Sequence, residues 1–181
     1  MLFAFGCVWM FGLGSLMALL FSASWHFRQT LVEVAYFHYL LSGAVMFGFL
    51  AGLHFWWPKI TGRMYPQRLA KVSAYLLFVG FHVVFIPLLI AGVLGVPARF
   101  YGHPANLYGL YVASSAGGIV FGVGSFLVLW YLLWSFRHGD AADRNPWGAV
   151  GLEWSVASPP PPQSFDEPPQ VTEEPYSYQN A

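Results

Sequence analysis

The chain has 181 residues, of which 57% are hydrophobic, 19% aromatic and only 9% charged, with a mean hydropathy of +0.54. A soluble domain carries about 25% charged residues, so a soluble globular fold is excluded and a small integral membrane protein is expected. Eight basic and eight acidic side chains give zero net charge, which leaves no basic excess for a nucleic-acid partner. The single Cys7 excludes a disulfide framework or a thiolate metal site.

Hydropathy predicts four spans, since a bilayer core of roughly 30 Å needs about 20 apolar residues. They are Leu2–Trp25, Leu31–Trp57, Leu69–Leu94 and Leu107–Phe136. The first has no basic flank and no small-residue cleavage site, so it reads as a retained helix. The fold class expected is an all-α membrane protein: residues 1–136 form a four-helix transmembrane region, and 137–181 an irregular, proline-rich, acidic tail.

Charge orients the bundle. Lys59, Arg63, Arg68, Lys71, Arg137 and Arg144 lie on one side, and Arg28 and Arg99 on the other. The positive-inside rule then puts the 58–68 loop, the tail and both termini in the cytoplasm. Trp25, Trp56, Trp57, Trp130 and Trp134 fall near span ends, the depth that amphipathic rings prefer. Ser114, Gly118 and Gly122 make a small-residue stripe expected to pack closely on a neighbouring helix. The tail from about Asn145, with its run Pro159 to Pro162, is expected to lie extended on partner surfaces or to be partly disordered.

Ionisable groups inside a span are costly and usually face the protein interior or a site. Glu33, Tyr36, His38 and His82 are the ones to explain. At about 100° per residue, Tyr36 and His38 face opposite sides of span two, whereas Glu33 and Tyr36 share a face. His38 could serve as an axial haem ligand or hydrogen-bond to a neighbouring helix. The Glu33–Tyr36 pair could relay protons or bond locally. His82 is a second possible ligand, and Pro87 is expected to kink its helix. His26, His54, His103 and His138 fall at span ends or in loops, where interfacial hydration is the expectation.

Val34-Ala35-Tyr36-Phe37-His38-Tyr39, then Leu41-Ser42-Gly43, resembles the V-A-H-F-H-Y-x-L-S-x-G segment of subunit I of the haem–copper oxidases. Trp57-Pro58-Lys59-Ile60-Thr61-Gly62-Arg63-Met64 resembles its F-P-K-x-T-G-R-M loop, and Gly95-Val96-Pro97-Ala98-Arg99-Phe100 its G-M-P-R-R-Y turn. Asn145-Pro146-Trp147-Gly148, Leu152-Glu153-Trp154 and Ser158-Pro159-Pro160-Pro161 resemble its C-terminal N-P-W…L-E-W…S-P-P-P. The resemblance covers most of the chain and implies the last four of that subunit's twelve helices.

Taken position by position, the resemblance implies that His38 stands where a low-spin haem is ligated. Arg99 keeps one of two arginines that pair with haem propionates; Ala98 replaces the other. Tyr36 stands where a histidine ligates the high-spin haem, so that histidine is lost; a tyrosinate can ligate haem iron in its place, or the site is simply gone. Arg28-Gln29-Thr30 replaces the family's H-D-T, and with it a magnesium site. The copper ligands and the second low-spin haem ligand belong to helices outside this sequence, so no copper is expected.

Three functions are compatible with these residues. One is a partial, divergent subunit I-like component of a respiratory membrane complex, donating His38, with Arg99 beside it, to a low-spin haem shared with a partner chain. Another is a cofactor-free structural or assembly subunit of such a complex. The last is part of a split-gene terminal oxidase with an altered centre. The partners expected are other membrane subunits and the lipid bilayer, in the cytoplasmic or another energy-transducing membrane.

Overall fold

The computed structural model describes residues 1–99, 102 and 104–165. Phe100 of the Gly95–Phe100 turn motif, His103, and the tail from Asp166 onward with its four acidic residues lie outside the described residues. Among the described residues four helical runs are long and apolar enough to cross a membrane: Leu2–Ser22, Leu31–Thr61, Gln67–Val93 and Ala105–His138. The all-helical, four-span expectation therefore holds. The first run is α1 (Leu2–Ser22). The second is α2 (Leu31–Phe37), a π turn (His38–Gly43) and α3 (Ala44–Thr61). Then come α4 (Gln67–Val93) and α5 (Tyr108–His138).

Two boundaries differ from hydropathy by three residues or more. α1 stops at Ser22 rather than Trp25, and α3 continues through Pro58 to Thr61. Proline lacks an N–H and usually ends a helix, but the backbone here resumes its ladder, with the Gly62 N–H donating to Pro58 O at 2.8 Å. α4 likewise runs unbroken through Pro87.

The chain divides into two compact units, Met1–Ala51 with Arg68–Leu129, and Gly52–Gln67 with Trp130–Ala181. In the first, α1 packs on α2 and on the π turn. Gly14 makes this approach possible: a Cβ there would meet Leu40 N at 2.8 Å and Tyr39 Cβ at 2.9 Å. At the start of α2, Thr30 is the N-cap, its hydroxyl accepting from Val32 N at 3.3 Å. The flanking backbone is tied to the segment after α4, with Leu31 N–H donating to Val96 O at 3.0 Å and Ala98 N–H to Gln29 O at 2.6 Å. Leu31, Ala91, Val96 and Tyr111 close a buried cluster beside these bonds.

The small-residue stripe expected at Ser114, Gly118 and Gly122 is not the packed face. A Cβ on Gly118 or Gly122 would meet nothing within 4 Å, whereas one on Gly117 would meet Val83 C and Val84 N at 2.7 Å, and one on Gly124 Leu77 N at 3.0 Å. Adjacent glycines differ by about 100° around a helix, and composition alone does not say which of Gly117 and Gly118 points at α4.

In the second unit the tail is not extended away from the helices. From Asp140 to Ser158 it lies on the end of α3. Met64 N–H donates to Asp140 O at 2.8 Å, Ala142 N–H to Gly62 O at 2.9 Å, and Arg63 Nη1 to Gly139 O at 3.0 Å. Gly62, at φ +68, leaves no room for a side chain, since a Cβ would lie 2.6 Å from Pro159 Cδ.

Candidate functional site

The π turn begins at His38, the residue singled out as a ligand. π turns inside α-helices are frequent at functional sites. The His38 ring is half-buried and stacks on Phe85 with centroids 4.6 Å apart and planes 23° apart. Its Nδ1 lies 2.6 Å from Val34 O. A carbonyl only accepts, so Nδ1 carries the proton and Nε2 the lone pair. Among the described residues Nε2 has no hydrogen-bond partner. Metal-bound histidines usually donate their other ring N–H to a carbonyl or carboxylate in this way, which fixes tautomer and ring orientation.

His82 is different. Its Nδ1 also donates to a carbonyl, Phe78 O at 2.8 Å, but its Nε2 accepts the Trp9 indole N–H at 3.0 Å. Both nitrogens are used, so His82 is a structural histidine. Beside it Tyr39 is fully buried, edge-on to Phe81 at 5.1 Å and to His82 at 5.5 Å, with its hydroxyl unpaired among the described residues.

Arg99 is exposed on the segment after α4. The Ala98–Gln29 bond holds that segment to the start of α2, and His38 follows Thr30 by about 12 Å of helical rise. Arg99 and His38 thus belong to the same unit at different depths, and among the described residues no hydrogen bond joins them. Tyr36 and Glu33 share a face as the spacing predicts. With Ser22, Trp25, Arg28 and Gln29 they line a cleft of about 620 Å³.

Two polar residues of the second unit escaped the sequence reading. His54, expected to be hydrated at a span end, is buried at 5% exposure. Its Nε2 is bonded to the Tyr131 hydroxyl, and its ring meets Tyr65 edge-on at 4.9 Å. It is covered because α3 extends past the expected span end and α5 supplies Tyr131. Lys59, counted only as a loop charge, is buried at 4% exposure. Its ammonium donates to Arg144 O at 3.1 Å and Val156 O at 2.8 Å, and lies 5.1 Å from the Trp154 ring centre. The Trp147 indole donates to Phe55 O at 2.9 Å, and Trp154 stacks on Trp56 at 5.5 Å. The loop motif and the tail motifs are therefore each other's packing partners.

Residues 1–120 match the family model described as Cytochrome C and Quinol oxidase polypeptide I. The chain belongs to this subunit I family. It is 35% identical to a probable cytochrome c oxidase subunit 1-beta of Nocardia farcinica, over 96% of this chain and 31% of that protein. It is 34% identical to cytochrome c oxidase subunit 1 of Synechocystis, over 98% of this chain and 33% of the relative. With the Bacillus subtilis subunit 1 the identity is also 34%, over 94% of this chain and 28% of the relative. This subunit I-family chain thus spans about a third of the length of the relatives it matches. A solved heme–copper terminal oxidase dimer has the same fold, with a TM-score of 0.66 at 19% identity, over 77% of this chain and 27% of that one.

Proposed function

We propose that this subunit I-family chain is a partial component of a respiratory membrane complex, and that His38 supplies one axial ligand to a low-spin haem whose second ligand comes from a partner chain. The supporting observation is the His38 tautomer: Nδ1–H donates to Val34 O and leaves Nε2 as the one histidine nitrogen inside the first unit's spans that is available to iron. The donor set fits such a group to the extent of a single imidazole. Bound there, a haem would supply one-electron transfer. Val34 O fixes the imidazole's tautomer, Phe85 fixes its ring plane, and Arg99 offers a guanidinium fork suited to a propionate. The charge count places both termini in the cytoplasm in this reading.

The test is a pyridine haemochrome assay on the complex purified from membranes, with and without His38→Ala. The reading expects the variant to lose haem in proportion to the low-spin content. Full haem content in the variant would overturn it.

A cofactor-free structural or assembly role is the second reading. It is favoured by the substitutions at Tyr36, Ala98 and Arg28-Gln29, and by the clamp of Lys59 on the tail. Under it, the complex carries an intact subunit I and this chain binds no haem. A split-gene terminal oxidase requires Tyr36 to replace a ligating histidine; a high-spin band present in the wild type and changed by Tyr36→His would support it.

A further inference from the structure

The His38 ring lies on the Phe85 ring of α4, with 4.6 Å between centroids and 23° between planes, an offset stack of face on face. Phe85 is itself held by Phe81, 4.6 Å away, and by Tyr39 at 6.3 Å. Phe81 sits against Gly43 at the end of the π turn, where a Cβ would meet its Cζ at 2.9 Å. Phe37 also meets the imidazole, but nearly perpendicular at 81° and farther off at 5.9 Å. The one aromatic face laid flat on His38 is therefore that of Phe85, and two elements hold it there.

A stacked benzene ring acts electrostatically as well as sterically. Its face carries the negative part of the aromatic quadrupole and attracts positive charge. Among the described residues no charged side chain bonds the His38 ring. Glu33 is the one carboxylate in residues 1–136, and it stands about 140° around α2 from His38 at 100° per residue. It accepts the Gln29 N–H instead. Iron bound at Nε2 draws electron density from the imidazole, and draws more when oxidised than when reduced. The Phe85 face thus favours the oxidised form. The Nδ1–H bond to Val34 O, which raises the basicity of a ligating imidazole, works in the same direction.

We infer that Phe85, a positioning residue acting through His38, holds down the reduction potential of the low-spin haem through the π face laid on the imidazole. The inference rests on the ligand reading above. The step concerned is the passage of one electron from reduced iron to the next electron carrier of the complex. The Nδ1 proton stays on His38, and no bond of the chain forms or breaks. A ring that only filled space would give the opposite sign. Removing it would admit water, and solvent exposure is one of the levers on a haem potential; water favours the more highly charged oxidised form and lowers the potential. Loss of the quadrupole raises it.

The test is a potentiometric titration of the low-spin haem band, with mediator dyes, in the complex purified from membranes. Mono-, di- and trifluorinated phenylalanine at position 85 drain the face of negative charge at nearly constant shape. The potential is expected to rise stepwise along this series and to rise in Phe85→Leu, while Phe85→Tyr keeps the wild-type value. The rise amounts to about two- to fivefold in the ratio of reduced to oxidised haem, the strength of a cation on an aromatic face, or about 20–40 mV at 59 mV per tenfold. The same fluorinated residues at Phe81, which touches Phe85 and Tyr39, should leave the potential unchanged. The low-spin signal in electron paramagnetic resonance persists throughout, because His38 stays in place. A potential that is flat across the fluorinated series, or that falls in Phe85→Leu, would overturn the inference and leave the ligand reading standing. A wild type without low-spin haem, or full haem content in His38→Ala, would overturn both.

Discussion

The Trp9 indole N–H donates to His82 Nε2 at 3.0 Å, while His38 Nε2 accepts nothing among the described residues. Two intramembrane histidines with the same Nδ1–H tautomer therefore differ in one property, the availability of a lone pair. His82→Ala is expected to leave haem content unchanged, whereas His38→Ala lowers it. Trp9→Phe removes a hydrogen bond between helices in a membrane, and such bonds average about 0.6 kcal/mol and reach about 1.7. Unfolding of the protein in mixed micelles should show a loss in that range; a larger one would mean Trp9 acts through more than this bond.

Gly117 and Gly118 make a matched pair for testing which face of α5 is packed. A methyl on Gly117 would press on Val83 C and Val84 N, backbone atoms that cannot swing away, while one on Gly118 meets open space. Gly117→Ala is expected to destabilise by about 1–3 kcal/mol, the usual range for overpacking. At about 2–4 °C per kcal/mol for a chain of this size, thermal unfolding resolves the difference. Gly118→Ala should melt with the wild type.

Tyr65 lies in the turn between α3 and α4, outside the spans, and burial pushes its phenol up to about 12, against a smaller opposing effect of its bond with Gln67. Its ordinary value is about 10. The folded protein thus holds this proton more tightly than the unfolded chain. The resulting stability is fully present below pH 10 and is lost as pH rises from about 10 to about 12. Tyr65→Phe should remove this part of the alkaline loss. In a phenolate absorbance titration of the folded protein, the variant should lack one group ionising near the upper end of that window.

What was legible in the sequence was whatever depends on one segment alone. Four apolar runs of sufficient length mean four spans, and the shared face of Glu33 and Tyr36 follows from helical pitch. What needed coordinates depends on two segments. The His38 and His82 tautomers are set by carbonyls one turn back, a signal present at every helical histidine, but only the position of Trp9 on α1 decides which lone pair is consumed. Gly117 is chosen over Gly118 by the facing backbone of α4. Lys59 read as a loop charge because hydropathy ends the span at Trp57, and its two carbonyl partners, Arg144 and Val156, lie in a tail with no periodicity to read. His54 was misplaced for the same reason, since the covering groups come from Tyr65 and Tyr131.

Lys59 gives the sharpest test of how the tail is held. Its ammonium donates to two carbonyls, Arg144 O and Val156 O, and faces the Trp154 ring. Lys59→Met keeps the length and apolar stem but removes every donor, leaving Val156 O to find water or remain unpaired at about 1–3 kcal/mol and Arg144 O with only the long 3.4 Å bond from the Ser158 hydroxyl. The cheapest relief is for the tail to lift, because water then reaches both carbonyls while α3 stays intact. Arg63→Gln, by contrast, removes a single bond from an exposed side chain to Gly139 O. Limited proteolysis should therefore cut the 140–158 segment at least tenfold faster in Lys59→Met, a factor equivalent to about 1.4 kcal/mol, with little change in Arg63→Gln. Equal cleavage rates in the wild type and Lys59→Met would show instead that the backbone bonds of Asp140 and Ala142, with Trp147 on Phe55 and Trp154 on Trp56, hold the tail without Lys59.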